Sequence, residues 1–93
     1  MILETFTKQP REKLDYDVLY EDWLPDTDQI DAGKSTVTAD KPGLNVTFTV
    51  TGKVVKVWIS GGANKTTYKV TLTIETDDGR VKQDEFIVKV KDY

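Results

Sequence analysis

Leu44–Ser60 reads LNVTFTVTGKVVKVWIS. Leu44, Val46, Phe48 and Val50 alternate with Asn45, Thr47 and Thr49, and the pattern resumes after Gly52 and Lys53 with Val55, Val57 and Ile59. Strict alternation puts every second side chain on one face, so it specifies half-buried strands rather than helix. A two-residue Gly52–Lys53 loop, with Gly first, suits a type II′ turn. That loop sets Phe48 opposite Val57 and Val50 opposite Val55, so both apolar sets share one face. Any one-residue slip would put apolar against polar.

The same test applies to Tyr68–Val90, YKVTLTIETDDGRVKQDEFIVKV. Tyr68, Val70, Leu72 and Ile74 alternate with polar neighbours, and Phe86, Val88 and Val90 form the answering set. A two-residue Asp78–Gly79 loop would set Leu72 opposite Glu85. A three-residue Asp77–Asp78–Gly79 loop, with Gly79 left-handed, sets Val70 opposite Phe86 and Tyr68 opposite Val88, which is the register that buries apolar against apolar. The connecting SGGANKTT, Ser60–Thr67, is Gly-rich and too long for a tight hairpin. It is expected to carry the chain to a second sheet.

Upstream, Pro10, Pro25 and Pro42 mark breaks. Leu14–Tyr20 has an alternating Leu14, Tyr16, Val18, Tyr20 face and reads as a strand, with Ser35–Ala39 as a shorter one. DWLPDTDQID, Asp22–Asp31, reads as a loop that pins Trp23 and Leu24 onto the end of the core. Residues 1–11 read as a flexible arm, or as a strand around Glu4–Lys8 that orders on a partner, and residues 12–93 as a single domain. No stretch has a helical apolar stripe. Six to seven short strands at this spacing specify an all-β, immunoglobulin-like β-sandwich, with a small open β-barrel as the alternative.

Composition removes most chemistry. The 93 residues contain no Cys and no His, which excludes thiol nucleophiles, His general bases, disulfides and the usual zinc sites. No enzyme and no cofactor is expected. A net charge of −3 argues against a nucleic-acid partner, and no apolar run approaches a membrane span or a signal peptide. Asp15, Asp17, Glu21, Asp22, Asp26, Asp28 and Asp31 fall between Lys13 and Lys34 with no basic residue among them. DTDQID starts like a calcium loop, but Ile30 occupies the third ligand position and no bidentate acid follows. The acids therefore read as a solvated edge that discourages strand pairing, and no metal is expected.

The aromatic residues carry the functional reading. Trp58 has the opposite parity from Val57 and Ile59, so its own strand turns it away from the core, to be exposed or covered by the amino-terminal segment. Trp23, Tyr16, Tyr20 and Phe6 complete the candidate protein-interaction set, since large aromatics dominate binding hot spots. A ligand-binding sandwich in which Trp58, Tyr16 or Tyr20 stacks on sugar is the alternative.

The succession LDYDVLYEDWLPDTDQI, VVKVWISGGANKTTYKVTLTIETDDGR and FIVKVKD resembles a group of short tailed-bacteriophage virion proteins described as fibre-tail adaptors. The resemblance spans Lys8–Asp92 and is most specific at Asp22–Leu24, at Val57–Thr71 and at Gly79–Arg80. It implies a noncatalytic immunoglobulin-like module that joins or decorates tail, fibre or capsid components through protein–protein contacts. Its expected place is the virion, assembled in the host cytoplasm, with other virion proteins as partners and with homo-oligomers within the particle.

Overall fold

The computed structural model describes residues 2–92; Met1 and Tyr93, the ends of the expected arm and domain, lie outside them. Alternation dictates extended chain, and the described residues form strands β1 (Ile2–Lys8), β2 (Leu14–Leu19), β3 (Thr36–Ala39), β4 (Leu44–Thr51), β5 (Val54–Gly61), β6 (Thr66–Glu75) and β7 (Val81–Val90). They make a four-stranded sheet in the order β1-β7-β6-β3 and a three-stranded sheet in the order β2-β5-β4. Neither sheet closes on itself, so the architecture is a β-sandwich and not a barrel.

Both hairpins adopt the registers that bury apolar against apolar. Phe48 lies opposite Val57 and Val50 opposite Val55, and the loop residue Gly52 has φ of 59° as the first central residue of a type II′ turn requires. Val70 lies opposite Phe86 and Tyr68 opposite Val88, with Gly79 left-handed at φ 92°. The 62–65 link crosses between sheets, and the Tyr68 hydroxyl accepts the Ala63 N–H at 2.9 Å to fix that corner.

Inward-facing Val55, Val57, Val70, Leu72, Ile74, Phe86 and Val88 are fully buried, so the core lies between the two sheets along the paired hairpins. Burying side chains of this size contributes roughly 1.5–3 kcal/mol each before chain entropy is subtracted.

Residues 2–8, expected as an arm or a partner-ordered strand, lie parallel along β7 of their own chain, Phe6 opposite Val88 and Lys8 opposite Val90. Two features fix β1 there. Phe6 packs edge-on to Tyr16 at 4.7 Å and to Phe86 at 5.7 Å between ring centroids. Lys8, only 1% exposed, donates through Nζ to the carbonyls of Gly61 at 2.6 Å and Gln9 at 2.7 Å. That ammonium ties the end of β1 to the end of β5 in the opposite sheet. Burial lowers its pKa, and the nearby Glu12 charge partly opposes the shift.

Candidate functional site

The outer face of the three-stranded sheet is built by parity. Residues of β5 that alternate with buried Val55, Val57 and Ile59 must point outward, which places Lys56, Trp58 and Ser60 on one line. Pairing brings Asp15 of β2 and Thr47 of β4 to either side of Trp58, and Asp17 and Thr49 to either side of Lys56. Trp58 is partly exposed. Its ring lies beneath two ammonium groups, Lys13 Nζ at 5.6 Å and Lys56 Nζ at 5.8 Å from the centroid. Lys56 Nζ also meets Asp15 at 3.4 Å and Asp17 at 3.7 Å. The side chains over the indole are thus Lys13 and Lys56, while β1 lies in the other sheet.

Cations over an indole face are attracted by its quadrupole, and their aliphatic stems cover part of the ring. The arrangement is a polar outer sheet face with one aromatic on its central strand, rimmed by carboxylates on the β2 side and uncharged Thr and Asn on the β4 side. Chemically it presents a partly exposed indole among charged and hydroxyl groups, the mix of side chains that protein–protein contacts use.

The remaining candidates lie elsewhere. Phe6 and Tyr16, on the edge strands β1 and β2, join Phe86 in a three-ring cluster, with Tyr16 and Phe86 centroids 5.4 Å apart. Burial, then the charge and hydrogen bonding of Glu4, raise the Tyr16 pKa. Phe6, Leu14, Asp15, Tyr16 and Ile59 line a small cleft of about 140 Å³ between the sheets. Tyr20 is 2% exposed. It faces buried Asp84 without a well-formed hydrogen bond, and burial followed by that carboxylate's charge pushes its phenol pKa up. Trp23 is half-buried against Tyr20, ring centroids 5.9 Å apart, and Leu24 beside it is buried as the end of the core. Of the five aromatics, Trp58 alone stands on an outward sheet face.

The acidic run divides in the structure. Asp26 is exposed and meets Lys53 at 2.6 Å, a contact that lowers its pKa. Asp28, read from sequence as part of a solvated edge, is instead 2% exposed. Its carboxylate accepts from Arg80 at 2.7 Å, from the Asp78 N–H at 3.1 Å and from the Gln29 N–H at 2.9 Å. Burial acts to raise its pKa, but hydrogen bonds from Thr76 and Arg80 and from the two backbone amides outweigh it and hold the value at about 2. This carboxylate fastens the 26–31 loop to the β6–β7 turn, and the Asp77 N–H donates to Gln29 O at 2.9 Å alongside. Nothing local in the sequence separates Asp28 from its acidic neighbours, because Asp78 and Arg80, which donate to it, lie about fifty positions away.

The chain matches, over residues 8–89, the family model described as podophage GP4 fiber-tail adaptor protein gp77. It belongs to this family. The description is that of a structural adaptor, which places the chain among virion proteins that bind other virion proteins. No curated protein sequence matches the chain.

Proposed function

We propose that the chain is an immunoglobulin-like, noncatalytic adaptor that joins fibre and tail components by protein–protein contact, with Trp58 as the anchor of its docking face. Membership of the fibre-tail adaptor family supports the role. The strand order supports the immunoglobulin-like reading: β2-β5-β4 faces β3-β6-β7, with the first strand added parallel to the last, and Tyr68 ties the corner before β6. Assembly takes place in the host cytoplasm, and neither nucleic acid nor membrane is a partner.

The single observation that carries the Trp58 assignment is an outward-facing, partly exposed indole on the central strand of its sheet, held under Lys13 and Lys56. Docking would desolvate the indole, where truncation of a central anchor typically costs about 2 kcal/mol or more. Trp23, Tyr16, Tyr20 and Phe6 act behind this face by holding β1, β2 and the 21–24 turn in place.

The test is complementation of a phage lacking the gene with the parent chain and with Trp58→Ala. The variant should melt within a few degrees of the parent yet fall at least about tenfold in copies per particle, the equivalent of roughly 1.4 kcal/mol. Parental copy number with a parental melt refutes the assignment. A variant that fails to fold would instead make Trp58 a packing residue.

A further inference from the structure

The sandwich has four edge strands, β1 and β3 in one sheet and β2 and β4 in the other. An open edge offers unpaired N–H and C=O groups, which proteins usually protect with charge, shortness or irregularity. Three edges carry such protection. β1 contains Glu4 and has a register irregularity between Ile2 and Thr5; β2 contains Asp15 and Asp17; β3 is four residues long. β4 has none. It is eight residues long, and from Pro42 to Gly52 there is no charged side chain.

Hairpin geometry says which groups β4 leaves open. A two-residue loop closes on a hydrogen-bonded pair, here Thr51 and Val54, so odd-numbered residues of β4 bond to β5. The Gly62 N–H donating to Gly43 O at 3.0 Å continues that phase. The main-chain groups of Leu44, Val46, Phe48 and Val50 therefore point away from β5, at the free edge. Side chains of Val46, Phe48 and Val50 pack against the core but are only partly buried.

We propose that β4 pairs antiparallel with β4 of a second copy of this chain. Charge selects the occupant. Self-pairing of β2 would bring Asp15 and Asp17 toward their own copies, whereas β4 meets itself without any like-charge opposition. The register that engages all four open residues sets Leu44 opposite Val50 and Val46 opposite Phe48 of the second copy. Apolar then meets apolar on the inner side, and Thr47 meets Thr47 on the two-fold axis. The contact is isologous, as closed dimers require.

This pairing extends the proposed docking face. Trp58 already lies beside Thr47, so one cross-strand row runs Asp15, Trp58, Thr47 and then the same three in reverse in the second copy. The two indoles stand three strand spacings apart, roughly 14 Å, on one continuous six-stranded face. A bivalent face multiplies weak contacts through effective concentration.

The chain has no Cys, so single Cys probes report cleanly. Thr47 pairs with its copy at a non-hydrogen-bonded position, where Cα atoms stand about 4.5 Å apart, within disulfide range. With oxidised glutathione as oxidant, Thr47→Cys should convert to a covalent dimer at least about tenfold faster than Thr49→Cys, whose copies lie far apart in this register. The parent chain should sediment as a dimer, and Val46→Pro, which removes an outward N–H while leaving the β5 ladder intact, should sediment as a folded monomer. Equal cross-linking of the two Cys variants, or a parent that stays monomeric up to about 1 mM, overturns the proposal. Trp58→Ala should cross-link through Thr47→Cys as the parent does, so failure here and failure of the Trp58 assignment are read separately.

Discussion

Phe86→Ala tests whether the amino-terminal strand belongs to the core. Phe86 is fully buried, faces Val70 across the hairpin, and sits 5.7 Å from the Phe6 ring and 5.4 Å from Tyr16. Truncating a buried Phe to Ala costs about 3–5 kcal/mol, because transfer energy is lost and a cavity remains. A 93-residue domain holds roughly 5–14 kcal/mol in total. The variant should therefore lose about a fifth or more of its stability, and its Tm should fall by at least about 12 °C. Urea unfolding of the parent, Phe86→Ala, Phe6→Ala and the double variant completes a cycle. Because the two rings touch, the double variant should be less damaged than the sum of the single changes by roughly 0.5–1.5 kcal/mol. A Phe86→Ala midpoint equal to the parent's would refute the hairpin register. Strictly additive losses would mean that β1 does not pack against this core in solution.

Asp28 makes the fold acid-sensitive in a defined window. Its pKa is depressed from an ordinary 3.8 to about 2, so its stabilising effect is complete above about pH 4 and is lost as pH falls toward 2. Thermal melts across that range should show Asp28→Asn less stable than the parent at pH 7, with the difference shrinking on acidification; a constant difference would contradict the clamp. Lys8→Met should keep the stem's packing but leave the Gly61 carbonyl without its ammonium donor, at a cost of about 1–3 kcal/mol by urea unfolding, and should speed amide exchange in β1 before the rest of the sheet. Unchanged exchange in β1 would show that the carbonyl contacts of Lys8 do not hold the strand.

The hairpins were legible because their information is local. Loop length and alternation together permit one register for Val70 and Phe86 and one for Phe48 and Val57, and both are realised. Crossing between sheets was likewise readable from the Gly-rich link after Ser60. The parallel seat of β1 along β7 was not, because parallel pairing joins segments about eighty positions apart and no turn encodes it. Phe6 and Lys8 share the inward parity, but an isolated Phe and a Lys give no pattern that separates a docked strand from a loose arm. The outward parity of Trp58 was readable from its neighbours alone. Lys56 shares that parity, but Lys13 above the ring was not readable, since it reaches the indole from the approach to another strand. For Asp28, the deciding partner Arg80 lies across the molecule, so composition showed only an acidic stretch.

Hydroxyl-radical footprinting of Trp58, in the free chain and in purified particles, addresses the docking account most directly. The partly exposed indole should be oxidised in the free chain and protected in the particle, while Trp23, half-buried against Tyr20, should change little between the two states. Equal oxidation of Trp58 in both states would contradict the account.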